Sequence, residues 1–500
     1  MPTLKTLTTT ADLDKFSWQA TCNWPDHSSV KVIHEGLDYG ALTRYFLWDK
    51  VPRAIRQQVN PEGFAFEQAL LDQRQQASVS RSSYPQWKQQ IKQPFHALSR
   101  FASIANLRLS RYRCPAPVVF VPRQHSHLRS TLSALLENKT VQLVAPLAHG
   151  PNTGVQLFQT VPVRSPDLAF AEQLYQGIIY GLQAFDIQLL ATDQQVLKRQ
   201  IQQQARLVRQ IEAELAIADP QAVLTFADNH APLQEYVAIA NRQGIPTIVL
   251  QHGLDCEQYC LNEAYASVIA VWGNARKQRY QASSQQQPAR IQVTGNPEYD
   301  CVRLPEQLST SREHWLWTTR PHGPQKCYSP SRTPQEGLDM LEAILTALER
   351  TETARLTIKP HPLDYIDLYS MQVEKYKLGD RVTISRDSLL TALPQADIVI
   401  SEDSTAAMEA MFFGKVIVHA HFASSPPVLP LVDYAAALPA SSPKILINSL
   451  QAAQTLSADE QKTMLNGQRS FVYDYAGPLD GQACQRVTDL ITQVVSNAVC

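Results

Sequence analysis

From Ala116 onward, short runs of Val, Ile and Leu alternate with longer stretches of helical period, and this alternation constrains the fold most. APVVFVPRQ, VQLVAP, AVLTFA, IPTIVLQHG, SVIAVWG and IQVTGNPEYD read as one series of strands. HWLWTTRP, RLTIKPHP, RVTISRD, DIVISED and KVIVHAH read as a second. Strands separated by helices predict parallel α/β architecture, because a parallel pair needs a crossover long enough to hold a helix. Between Val196 and Leu215, Leu197, Ile201, Val208, Ile211 and Leu215 fall on one stripe, which predicts a long amphipathic helix packed on a sheet. GLDMLEAILTALER, with Leu338, Leu341, Leu345 and Leu348 in register, predicts another, and Cys484 to Val495 a last one.

The polar stretch 302–313 separates the two series. The expected organisation is therefore a weakly patterned region 1–110 assigned to the first domain, a first α/β domain over 111–305, a second over 306–480, and a terminal helix in 481–500 that crosses back to the first. Two or three domains suit 500 residues. A formal net charge of −1 argues against a general nucleic-acid binder. No segment approaches the ~20 apolar residues that cross a bilayer, and the N-terminus lacks an apolar signal core, so a cytoplasmic protein is expected, with peripheral contact at the inner membrane face left open. The eight cysteines are scattered, and reduced thiols are the expectation. Cys256 and Cys260 lack a second pair with which to hold zinc.

In open parallel sheets ligands sit beyond the C-terminal ends of strands, and that rule gathers the polar residues of interest. Asp228 follows AVLTFA, Gln251-His252-Gly253 follows IPTIVL, Arg320 follows WLWTT, and Lys359-Pro360-His361-Pro362 follows RLTI. Ser401 to Thr405 follow DIVI, where Ser404 and Thr405 stand at the start of a helix carrying Glu409 one turn on. A helix start with hydroxyls suits a phosphate or diphosphate. Lys359 offers a point charge and His361 a ring donor, with Pro on either side to stiffen the turn. Glu409 can accept from ribose hydroxyls. Asp228, His252 or, as a neighbour, His230 is the candidate base for an acceptor hydroxyl. Two H-x-H pairs, His125/His127 and His419/His421, have no third ligand at a fixed spacing, so no metal site is expected. GxxxxGKS/T, GxGxxG and GxSxG are absent.

IPTIVLQHG, VWGNARKQRY, VTGNPEYD, LTIKPHP and SEDSTAAMEAMFFGKVIV, in that order over roughly residues 220–425, resemble bacterial GT-B glycosyltransferases of surface polysaccharide synthesis. The group includes Kdo transferases, polysialyltransferases and CDP-glycerol glycerophosphotransferases. The resemblance implies two Rossmann-like α/β domains facing across a cleft and a nucleotide-sugar donor held mainly by the second. It implies that His361-Pro362 and Ser404-Thr405 contact nucleotide and phosphate, that Glu409 binds ribose, and that the chemistry needs no metal or other cofactor. A glycan or glycolipid acceptor is the implied partner. The phosphotransferases usually carry Trp-His-Gly where this chain has Gln251-His252-Gly253, which favours sugar transfer, with CMP-linked Kdo or sialic-type donors in view. A CDP-polyol phosphotransferase and a non-hydrolysing UDP-sugar 2-epimerase are the alternatives.

Overall fold

A computed structural model of the chain describes residues 4, 7, 9–65, 102–110, 112, 116–146, 154–254, 258–259, 265–283, 290–320, 334–361 and 366–499. The two series of apolar runs form two all-parallel sheets. The first contains β1 (Val118–Phe120), β2 (Gln142–Pro146), β3 (Gln156–Phe158), β4 (Ala222–Thr225), β5 (Thr247–Leu250), β6 (Val268–Val271) and β7 (Ile291–Val293). Their order is β3-β2-β1-β4-β5-β6-β7. The second contains β8 (His314–Thr318), β9 (Arg355–Lys359), β10 (Val382–Ile384), β11 (Ile398–Ser401), β12 (Val416–Ala420) and β13 (Leu438–Ala440), ordered β10-β9-β8-β11-β12-β13. Every residue of β1, β4, β5, β11 and β12 is buried, which is why these strands read as unbroken apolar runs. The chain thus has the expected α/β fold of GT-B type, with two Rossmann-like domains.

Each sheet winds outward in one direction and then the other. The reversal lies between β1 and β4 in the first domain and between β8 and β11 in the second. Such a reversal splays the connecting segments apart and leaves a crevice beyond the strand ends.

Residues before the first sheet are part of its core. Helices α1 (Thr10–Asn23) and α2 (Lys50–Val59) pack with α3 (Leu168–Gln183) and α4 (Ala191–Ala218). Phe16, Trp24, Leu47 and Ile55 share one cluster with Ile178, Leu182, Leu197, Ile211, Phe120 and Val223. The packing is close: a Cβ at Gly181 would lie 2.3 Å from the Trp24 carbonyl oxygen. Helix α4 carries the predicted stripe inward and runs beyond the predicted 196–215 at both ends.

Two later helices return to the first domain. At the end of α7 (Ala458–Ala476), after α5 (Leu233–Arg242) and the short α6 (Thr405–Met411), the backbone passes so near β6 that a Cβ at Gly273 would lie 2.0 Å from the Asp474 carbonyl oxygen. Helix α8 (Ala483–Val499) then inserts Val487, Leu490, Ile491 and Val495 among Val119, Leu132, Leu224 and Ile248. The Asp300 carboxylate accepts from the Ala483 and Cys484 N–H groups, both at 2.8 Å, and satisfies the start of α8. No described helix is long and apolar enough to cross a membrane.

Candidate functional site

At the β8–β11 reversal, Thr318, Thr319, Lys359, Pro360, His361, Leu389, Ser404, Thr405, Ala406 and Glu409 line a cavity of about 250 Å³. Hydroxyl groups hold its floor together. The Thr318 hydroxyl donates to Ser401 Oγ at 3.1 Å, and the His361 N–H donates to Thr319 Oγ1 at 3.0 Å. These bonds tie the ends of β8, β9 and β11 into one rim and leave the His361 side chain exposed. Lys359 is half-buried at the same rim, where its charge faces the cavity without a fully desolvated stem. Arg320 is half-buried one residue beyond Thr319 but does not line the cavity. Pro362 lies outside the described residues.

Both hydroxyls at the start of α6 hold backbone. Ser404 caps α6 by accepting from the Ala406 N–H at 3.2 Å. Thr405 Oγ1 accepts from the Leu254 N–H at 3.0 Å, and Leu254 belongs to the first domain. Both hydroxyls therefore already hold backbone, one within the helix and one across the cleft. Helix α6 has seven residues, so its dipole is short, and Lys359 supplies the charge an anion would meet. Glu409 accepts from the Tyr299 hydroxyl at 3.1 Å. Burial raises its pKa and the Tyr299 bond partly offsets that. These two crossings, Leu254 to Thr405 and Tyr299 to Glu409, draw the first domain against the cavity. Its volume falls a little below the roughly 300–1,000 Å³ usual for ligand clefts. A second cavity of about 200 Å³ runs from His314 and Ala396 at the start of β8 and β11 to Thr383 and Ser385 at the end of β10, and none of the candidate residues lines it.

Beside the cavity, Asp403 is buried and anchors the following loop. It accepts from His419 Nε2 at 3.0 Å and from the Val428 and Leu429 N–H groups at 2.9 and 3.1 Å, with His421 Nδ1 at 3.7 Å. Burial pushes its pKa up, but the His419 bond and the other donors outweigh burial and hold it below the usual value. The His419/His421 pair thus turns to a carboxylate. Among the described residues, no group of three or more His, Cys, Asp or Glu is placed to hold a metal ion.

In the first domain, His252 is exposed at the end of β5 and stands edge-on to Phe226, with ring centroids 5.5 Å apart. Gln251 fixes the turn that presents it. Gln251 Oε1 accepts from the Trp272 N–H at 2.7 Å, and its Nε2 donates to the Gly253 carbonyl at 2.8 Å. Gly253 comes so close to the second domain that a Cβ there would lie 3.5 Å from Thr405 Oγ1. Asp228 has a different setting. Its carboxylate is buried, and Oδ2 accepts from the Tyr265 and Ala266 N–H groups at 2.7 and 2.9 Å. Burial raises its pKa against those two bonds. Such a carboxylate holds the segment entering β6, which favours anchoring over proton abstraction. His230 is half-buried, with Nδ1 3.2 Å from Asn229 Oδ1.

Thr318, Thr319, Leu389 and Tyr299 went unnoticed as site residues in the sequence. The two threonines stand where the strand-end rule would have found them, directly after HWLW. Tyr299 carries no comparable signal, because its partner Glu409 is brought to it by domain packing.

No protein-family model matches the chain, and no curated protein matches it. Solved structures similar to it include a UDP-bound S. aureus MnaA, at 13% identity over 76% of this chain and 97% of that one, with a TM-score of 0.48. Another is the UDP-GlcNAc 2-epimerase from Neisseria meningitidis bound to UDP-GlcNAc, at 14% identity over 75% and 99%, with a TM-score of 0.45. A variant of the wall teichoic acid polymerase TagF matches at 8% identity over 77% and 90%, also with a TM-score of 0.45. At such scores the reading of the site rests on the chain's own residues.

Proposed function

We propose that this chain is an inverting, metal-independent glycosyltransferase that moves a sugar from a nucleotide-activated donor to a glycan acceptor. Surface polysaccharide synthesis is the setting to which the sequence resemblance points. The observation that carries the reading is the convergence of Lys359, His361, Ser404, Thr405 and Glu409 on one cavity at the β8–β11 reversal, against the turn that presents His252.

In this scheme the donor nucleotide lies in the cavity. Glu409 accepts from ribose hydroxyls, exchanging its Tyr299 bond for them. Lys359 and His361 meet the phosphate in the cavity that Ser404 and Thr405 also line. The acceptor oxygen attacks the anomeric carbon from the side opposite the phosphate, the bond from that carbon to the phosphate oxygen breaks, and His252 takes the acceptor proton. The departing phosphate carries the electron pair of the broken bond, and the fixed positive groups at the strand ends stabilise that charge where it develops. Asp228 keeps the β6 entry, and with it the first-domain rim, in place.

A thermal-shift panel of CMP, CDP, UDP and GDP, with their sugar conjugates, tests the reading. A nucleotide at 100 times its dissociation constant should add about 2.7 kcal/mol of stability. Lys359→Ala and His361→Ala should abolish most of that shift. If no nucleotide moves the melting temperature, the proposal fails. Conversion of a UDP-sugar at C2 without any acceptor would replace transfer by epimerisation.

A further inference from the structure

The peptide unit between Gly253 and Leu254 is gripped at both of its polar ends. Its carbonyl, on Gly253, accepts from Gln251 Nε2 at 2.8 Å and from Arg276 Nη1 at 3.2 Å. Its N–H, on Leu254, donates to Thr405 Oγ1 at 3.0 Å. The carbonyl is thus held by the first domain and the N–H by the second, and one planar unit joins the two across the cleft. The residues around it leave the turn little slack. Gln251 is buried; its N–H donates to the Ala270 carbonyl at 3.0 Å, and its own carbonyl accepts from Trp272 Nε1 at 2.9 Å. His252 stands between Gln251 and Gly253, so whatever holds this peptide also holds the backbone that carries the candidate base.

The bonds run head to tail. Arg276, on the helix Asn274–Ser283 that follows β6, donates to the carbonyl, and the N–H of the same peptide donates to Thr405. A hydroxyl that accepts a bond still has its own proton to give, and among the described residues no acceptor takes that of Thr405. Thr405 lines the donor cavity together with Lys359 and His361. The line therefore begins at a guanidinium, passes through one peptide and ends on an O–H group at the cavity wall. Dipoles aligned in one sense polarise each other, and an anion at the far end strengthens every bond behind it. Ser404, which accepts from the Ala406 N–H, reaches only its own helix.

We propose that Arg276 and Thr405 are positioning residues that form a relay: a phosphate of the bound donor accepts from the Thr405 hydroxyl and thereby tightens the turn that presents His252. This inference rests on the transferase reading and links its two halves, so that the base is held most firmly when a donor is in place. Arg276 acts without touching the donor, through the Gly253–Leu254 peptide. The charge of the phosphate drives the effect, and an uncharged nucleoside in the same cavity leaves the turn as it was. The second crossing behaves in the opposite sense. Glu409 exchanges its Tyr299 bond for ribose hydroxyls, whereas Thr405 keeps Leu254 and gains the phosphate.

Hydrogen exchange at the Leu254 amide tests the relay, read by NMR on the full chain labelled with 15N-leucine and assigned with Leu254→Ile. CMP, CDP, UDP and GDP are the probes, with the corresponding nucleosides as uncharged controls, and the thermal shift is measured in the same samples. The nucleotide that raises the melting temperature should, at saturation, slow exchange at Leu254 about tenfold, the scale of one charge-assisted hydrogen bond. The matching nucleoside should slow it less than about twofold. Thr405→Val, which keeps the shape and removes the proton, should abolish the slowing even at saturating nucleotide, and Thr405→Ser should restore it. Arg276→Gln keeps a neutral donor and should leave about threefold, since a charged donor makes a bond about twice as strong. Circular dichroism melts verify that the variants are folded, and the response of the unmodified chain needs no variant. A thermal shift with unaltered Leu254 exchange overturns the relay and spares the donor reading. Slowing that persists in Thr405→Val, that is complete in Arg276→Gln, or that the nucleoside matches, does the same. If no nucleotide moves the melting temperature of the unmodified chain, the transferase reading itself fails.

Discussion

Replacing Glu235 by glutamine isolates one buried proton. Glu235 sits in the first turn of α5, fully buried; its Oε1 accepts from Gln204 Nε2 at 2.8 Å, and Oε2 has no hydrogen-bond partner among the described residues. Burial pushes its carboxyl from 4.5 up to about 7, against the smaller opposing effects of the Gln204 bond and its own backbone N–H. Between those two values the folded chain keeps a proton that the unfolded chain has released. Its stability therefore falls as pH rises through that window and levels off above about 7. At about 1.4 kcal/mol for each pH unit, the loss comes to about 3 kcal/mol. Glutamine occupies nearly the same volume and does not titrate. Guanidinium denaturation of both proteins, at steps from about pH 4 to about pH 8, should show the variant gaining about 3 kcal/mol relative to the unmodified chain. A constant offset between the two can take either sign and decides nothing; the slope decides. A free-energy difference that stays flat across the window, or that shrinks as pH rises, would refute the buried-proton argument.

Tyr299→Phe removes the hydroxyl that Glu409 accepts from and should cost about 1 kcal/mol of stability, read as a lower denaturation midpoint. Nucleotide affinity should change less than about threefold, whereas Glu409→Ala should weaken it about tenfold or more if, as proposed, the carboxylate accepts from the ribose hydroxyls. Asp403→Ala should destabilise by about 3–5 kcal/mol, since it leaves His419 and two backbone N–H groups without their acceptor. For Asp403 the pH sense is opposite to that of Glu235: its contribution is present above the ordinary aspartate range and is lost as pH falls through its depressed folded value. Melting curves of Asp403→Asn and the unmodified chain should therefore converge in acid.

Strands such as DIVIS and HWLWT were legible because a strand buried on both faces has to be apolar throughout, and the polar residue that ends it marks the crevice. Lys359 and His361 were picked out in that way, and Ser404 and Glu409 as the start and first turn of the helix that follows DIVIS. Thr405 shows where the sequence falls silent. As a hydroxyl at a helix start it suggests an anion, yet its partner Leu254 lies 151 residues away and is brought to it by domain packing. His419 and His421 show the same limit: i and i+2 on a strand imply a shared face, but Asp403, waiting at the neighbouring strand end, determines what they meet there. Residues 9–59 carried a weak pattern for a related reason. Trp24 and Phe16 are buried by helices that begin only at Leu168, so no local period announces their core.

Helix α8 has a consequence for the order of events during synthesis. The core it completes contains Val119 and Leu132, made early, together with Val487 and Ile491, made late. At about 5–20 residues per second, roughly 10–40 seconds separate the emergence of β7 from that of α8. Through that interval the first domain has its sheet but an uncovered apolar face. The nascent chain thus has a stage at which chaperone capture is most valuable and premature stops are most damaging. A nonsense change beyond the second sheet would be felt first in the domain already made.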